Sequence, residues 1–115
     1  MIIQIFGTKK CKDTQKAIRF FKERRIQTQF INLQEKDMSQ GELNNVRKYI
    51  PLEELIDKNG KQYEAKNLKY LRHNIEQELL NDPLLFKTPI VRCANGATVG
   101  YQPEIWQNWA DTFKA

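Results

Sequence analysis

The stretch TPIVRCANGATVGY, from Thr88 to Tyr101, constrains the fold more than any other part of the chain. Two β-prone segments flank Asn95-Gly96, a dipeptide that favours the positive φ angles of a tight hairpin turn, so the segments pair antiparallel. Near the start of the chain the expected pairing has the opposite sense. Ile2–Phe6 (IIQIF) is a β-branched and aromatic run that stops at Gly7 and reads as a buried strand, and Ile26–Leu33 (IQTQFINL) reads as a second. Between them, from Lys12 onward, Ala17 and Ile18 fall at helical spacing from Phe21, with charges on the other side. Strand, helix, strand with short links is a parallel βαβ unit with a right-handed crossover. A sheet that holds both units is mixed.

The middle of the chain reads as helical. Ser39 and Glu42 have the spacing of a capping box ahead of SQGELNNVRKYI, where Leu43, Val46 and Ile50 share a stripe. Pro51 ends that helix, LEELID gives a short one, and Lys58–Lys61 (KNGK) is a turn. A longer helix is expected next, from Leu68, Leu71, Ile75 and Leu79 on one face. After the hairpin, Pro103 suits a first helical turn, and Ile105, Trp106, Trp109 and Phe113 have core spacing. The order is βαβ, a helical insertion over about 38–82, then ββα. With 115 residues and no linker of its own, the chain reads as one α/β domain, 1–115, with a four-stranded mixed sheet.

Composition removes several classes of function. No apolar run is long enough to span a bilayer and no signal peptide is evident, which implies a cytoplasmic protein with no membrane partner. Two cysteines and one histidine, His73 in a polar stretch, cannot build a zinc site, so no metal is expected. The net charge is +5, and it is concentrated: residues 9–25 hold eight basic side chains against Asp13 and Glu23. Such a patch suits anions or an acidic protein face, or is a solvated helix surface. Direct nucleic-acid binding is not expected without a recognition helix or an aromatic platform motif.

Within that basic run, Cys11 stands where the first strand has ended and the first helix begins. Unpaired N–H groups and the helix dipole stabilise a thiolate at this position, and Lys10 and Lys12 add positive charge. Such a setting lowers a thiol from its ordinary value of about 8.5 toward the reactive anion. Thr14, three residues on, offers a hydroxyl where a CxxC motif has its second sulfur, which makes this a monothiol site. The competing reading is an inert, packed cysteine. Cys93 lies four residues past Pro89, roughly 13 Å further along an extended strand, and reads as structural rather than as a resolving partner.

A strand, CKDT opening a helix, a helical insertion, and Thr88-Pro89 before a hairpin and final helix together resemble the thioredoxin fold. FGTKKCKDTQKA closely resembles the N-terminal motif of the ArsC-type arsenate reductases, a group with glutaredoxin-like relatives and the Spx regulators. LLFKTPIVRCANGATVGY resembles that group's second characteristic stretch. The resemblance implies a cis proline at Pro89 facing the nucleophile, with the Thr88 backbone as the place where a thiol-bearing substrate lies. It implies no bound cofactor, but a small thiol such as glutathione as co-substrate. The substrate would be a disulfide, a sulfenate or an oxyanion, with Lys87 and Arg92 attracting anionic groups.

The chain departs from that pattern at three places. Where the arsenate reductases carry oxyanion-binding arginines, it has DKNGKQY (with Asn59 and Gly60), Thr88, and VGYQP. Only a planar guanidinium grips an oxyanion in two-point fashion. Thr14 also replaces the second cysteine of the Spx redox switch. Two functions remain: a glutathione-dependent monothiol thiol-disulfide or oxyanion reductase, or a non-enzymatic Spx-like regulator that docks on RNA polymerase or another acidic protein surface.

Overall fold

The structure, a computed structural model, describes residues 2–66, 74–94 and 96–114, the side chains of 113 and 114 excepted. Strand β1 (Ile3–Gly7) runs into helix α1 (Lys12–Glu23) and strand β2 (Thr28–Asn32). Short helices follow, α2 (Gln40–Val46), α3 (Leu52–Leu55), α4 (Lys61–Ala65) and α5 (Ile75–Asn81), with a 3-10 turn at Pro83–Leu85. Strands β3 (Ile90–Cys93) and β4 (Gly96–Val99) and helix α6 (Pro103–Lys114) complete the chain. The sheet order is β2-β1-β3-β4. β1 is parallel to β2 and antiparallel to β3, and β3 is antiparallel to β4, so the sheet is mixed as expected.

Both faces of β1 are covered, which is why IIQIF has little polar alternation. Ile3, Ile5, Val91 and Cys93 point to one face, where they meet Ala17 and Phe21 of α1 and Trp106 of α6. Phe6, Ile31 and Ile90 point to the other, where the insertion supplies Leu43, Val46, Ile50, Leu55 and Leu79. Trp106 is fully buried, and its indole N–H donates to the equally hidden Thr98 hydroxyl at 2.9 Å. That bond lets a polar ring edge sit in the core without an unpaired donor.

Several boundaries differ from the sequence reading, each for a local reason. The Ser39–Glu42 capping box is present, but α2 stops at Val46, and Tyr49 and Ile50 are carried by turn bonds to the Val46 carbonyl. Within the span of the expected long helix, Asn74 is extended (φ −97°, ψ 116°) and its side chain accepts from Gln77 N–H, so α5 starts there. Leu68, Leu71 and His73 lie outside the described residues. The hairpin also shifts by one residue. Cys93 pairs with Gly96, which places the two-residue link at 94–95 and makes Gly96 a strand residue without positive φ. Gly96 is favoured by contact instead, since an added Cβ would stand a tight 3.2 Å from the Trp109 ring. Asn95 lies outside the described residues. Ile105, expected in the core, is 40% exposed, because Trp106 takes the inward position beside it.

The insertion is tied to the segment leading into β3. Ile56 forms an antiparallel bridge with Phe86, flanked by bonds from Asp57 N–H to the Leu85 carbonyl (2.8 Å) and Lys87 N–H to the Leu55 carbonyl (2.7 Å). The next residue after Lys87 is Thr88.

Candidate functional site

β1 ends at Gly7, and a turn closed by Cys11 N–H on the Thr8 carbonyl (3.2 Å) sets Cys11 as the N-cap of α1. Its backbone is extended (φ −77°, ψ 117°), while its carbonyl accepts the first helical bond, from Gln15 N–H at 3.1 Å. The Gln15 side chain returns to the Lys9 carbonyl at 3.0 Å and closes the turn from the other side. This cap position aims a side chain at the unpaired N–H groups of the first turn.

The sulfur meets two threonines. Thr88, across the sheet end, donates its hydroxyl to Cys11 Sγ at 3.1 Å, and its carbonyl lies 3.8 Å from the same sulfur. The hydroxyl suits a thiolate and the carbonyl suits a protonated thiol, so one residue serves both states. The Thr88-Pro89 peptide is cis. Thr14 is fully buried beneath the cap, and among the described residues its Oγ1 has no hydrogen-bond partner of normal length. Its side chain packs on Gly7, where an added Cβ would fall 2.3 Å from Thr14 Oγ1. Gly7 therefore leaves the space that the Thr14 side chain fills beneath the start of α1.

Burial pushes the Cys11 thiol up, but hydrogen bonding outweighs it. The hydroxyls of Thr14 and Thr88 and the backbone N–H groups of Thr14 and Asp13 hold the thiol below its ordinary value. Sulfur accepts at longer range than oxygen, so these donors act without forming a capping bond of normal length. The donors are neutral. Lys10 and Lys12 are exposed, and among the described residues no hydrogen bond or ion pair joins either to the sulfur.

The other residues expected at the site divide. Thr88 and Pro89 are beside the thiol, and the buried Pro89 offers its carbonyl to Gly100 N–H at 2.9 Å. Lys87 is one residue away, but it lines a separate cleft of about 560 Å³ with Glu53, Glu54, Asp57, Lys58 and Asn59 of the insertion. Arg92 does not join the site. It pairs with Gln4 in register, which puts it on the insertion face of the sheet, away from α1 and away from the Gly7 end of β1. Its guanidinium is taken up by the Gln4 side-chain carbonyl, with Glu42 at 4.0 Å. The expectation that Arg92 attracts substrate anions is thus corrected by strand alternation. Cys93, at the opposite end of β3, is buried in the α1–α6 core.

Two contributors were not legible in the sequence: the Thr88 hydroxyl and Gly7. Thr88 stood out only for its backbone, and Gly7 only as a strand end. Their contacts span 77 residues for Thr88–Cys11 and seven, from the end of β1 into α1, for Gly7–Thr14. A polar residue directly before a proline that faces a cysteine was the one available signal.

A mixed β2-β1-β3-β4 sheet, with a cysteine capping α1 and a cis proline before β3, defines a thioredoxin-like α/β protein. The ArsC family model matches residues 6–109, and the chain belongs to that family. Its structure is similar to that of an ArsC family related protein from Bacteroides fragilis (22% identity, TM-score 0.80, covering 94% of this chain and 97% of that one). It is also similar to an arsenate reductase from Vibrio cholerae (21%, TM-score 0.77, 94% and 97%). An arsenate reductase related protein from Brucella melitensis matches at 19% and TM-score 0.68, over 95% and 94%. No match was found among curated proteins.

Proposed function

We propose that this chain is a single-cysteine thiol–disulfide reductase that uses a small external thiol, glutathione or an equivalent, in a reducing compartment. The observation that carries this reading is the contact of Thr88 Oγ1 with Cys11 Sγ at 3.1 Å, at a helix cap that holds the thiol low. An inert packed cysteine needs neither. The Cys11 thiolate attacks one sulfur of a substrate disulfide, forming a Cys11–substrate disulfide as the other sulfur leaves as a thiolate and takes a proton. An external thiolate then attacks the substrate sulfur of that mixed disulfide and forms a disulfide with it as the Cys11 thiolate leaves. A second external thiol cleaves this disulfide to release the reduced substrate and the oxidised external disulfide, so the pair of electrons has come from the external thiols. Thr88 and Thr14 stabilise the negative sulfur on departure, and the Thr88 backbone borders the incoming disulfide.

Arsenate fits this site less well. Asn59 stands where the related reductases place an arginine, and in the neighbouring cleft Glu53, Glu54 and Asp57 outnumber Lys58 and Lys87. Carboxylates there repel an oxyanion. A purely regulatory Spx-like role leaves the geometry around Cys11 without a use. The test is glutathione-coupled turnover of 2-hydroxyethyl disulfide by the intact protein and by Cys11→Ser. A loss on the order of a thousandfold is expected on removing the nucleophile. Equal rates in the two proteins would sink the reading.

A further inference from the structure

We infer that the groove between α1 and the start of α6 docks an acidic, aromatic-bearing peptide segment of a protein disulfide substrate. The groove, of about 470 Å³, is lined by Lys16, Arg19, Phe20, Arg24, Tyr101 and Pro103, with Glu23 as its one carboxylate. Its charge is arranged on two rings, the exposed Tyr101 and the half-buried Phe20. Lys16 Nζ stands 5.1 Å from the centre of the Tyr101 ring, and the Arg24 guanidinium lies 3.6 Å above Phe20. Tyr101 is 48% exposed, and it is stiffened by an edge contact to the buried Trp106 at 5.6 Å. Rigid Tyr and stacked Arg are the residue types that carry binding energy at interfaces, because they bring large contact area with little ordering cost.

Charge complementarity selects the occupant. Lys12, Lys16 and Arg19 follow at i, i+4 and i+7, so a cationic stripe starts at the residue next to Cys11 and runs along α1. Arg19 is exposed and has no carboxylate partner among the described residues, and the Lys16–Asp13 pair is loose at 3.8 Å between exposed groups. Arg24 is held by Gln107 and the Phe20 carbonyl, both neutral, so its charge also remains uncompensated. From Cys11 to Arg19 the helix rises roughly 12 Å, which an extended peptide spans in about four residues. A substrate with Glu or Asp about four positions from its reactive cysteine reaches the groove and the thiol together.

This docking rests on the reductase reading only for the disulfide exchange that comes after binding, so the two are tested separately. Binding is read by fluorescence anisotropy with a labelled synthetic peptide carrying a serine, then a Glu- and Tyr-containing run about four residues away. The peptide is expected to bind the intact protein and Cys11→Ser alike, and Arg19→Glu should weaken it by about tenfold or more. Lys48→Glu makes the same change in net charge on the insertion side, where Lys48 is exposed, and should leave binding within about twofold. Turnover of 2-hydroxyethyl disulfide, too small to reach the groove, should survive Arg19→Glu. The proposal is overturned if the peptide does not bind, if both charge reversals weaken it equally, or if a duplex DNA probe binds more tightly than the peptide. Loss of small-disulfide turnover in Cys11→Ser, or its absence, speaks to the reductase reading alone.

Discussion

The two faces of this sheet are covered by different kinds of chain. On one face lie two twelve-residue helices, α1 and α6, joined through a ladder of aromatic rings. Phe20, Phe21 and Tyr101 all lie within 5.8 Å of the Trp106 ring, centre to centre. On the other face lie helices of four to seven residues that contribute mostly aliphatic side chains. Helices that short have little stability of their own. They are held by their caps, by the Ile56–Phe86 bridge and by polar links such as Asp82, whose carboxylate takes Lys66 at 3.1 Å and the Gln62 amide. Burial pushes that carboxyl up, but Gln62, Lys66 and the Leu84 N–H hold it below the usual range. The thiol sits on the side built from long helices, while the hydroxyl that meets it arrives from the segment the insertion holds. The site is where the two kinds of packing join.

Core substitutions test that contrast most strongly. Phe21→Ala should cost about 3–5 kcal/mol, because it opens a cavity among rings that cannot close up. Leu43→Ala on the insertion face should fall lower in the range of about 2–5 kcal/mol, since short helices move to fill space. Urea unfolding of both variants decides it, and a larger cost for Leu43 would break the comparison. Gly7→Ala should come next, at about 1–3 kcal/mol, from collision with Thr14. It should also raise the pH at which Cys11 is alkylated.

Smaller effects sharpen the contrast at the junction. Thr88→Val removes one donor from the thiolate, so the midpoint of Cys11 alkylation against pH should move up from a value below that of an ordinary thiol. Cys93→Ser provides the background for that measurement. The sign for stability comes from the lowered thiol. Cys11 contributes stability that is fully present above the unfolded thiol's value and is lost as pH falls through the folded value, and Thr88→Val should shrink that window. Ser39→Ala should be the mildest change, about 1 kcal/mol of cap energy, with no shift in thiol titration. A shift there would mean that the insertion acts on the site through more than the Ile56–Phe86 tie.

Much of this was open to a reader of the chain alone. The mixed sheet followed from one parallel and one antiparallel connection, each forced by the length of its link. The cysteine's place followed from where a β-branched run gives way to helical spacing. The departures arose at particular residues. Gly96 looked like a turn glycine and is a strand residue cleared for Trp109. The periodicity from Leu68 to Leu79 suggested one helix, but Asn74, within that span, caps the start of α5. Arg92 was expected to attract anions at the site, yet strand alternation places it on the insertion face, paired with Gln4.

The sequence by itself determined the order of elements, the cap position of Cys11 and the concentration of positive charge along α1, because these depend on residues within a few turns of one another. Only the tertiary structure decided what touches the sulfur. Hydrogen bonds at about 3 Å depend on how β3 and α1 are brought together from opposite ends of the chain. No local spacing encodes that approach, so the Thr88 hydroxyl became visible as a donor only once the sheet was assembled.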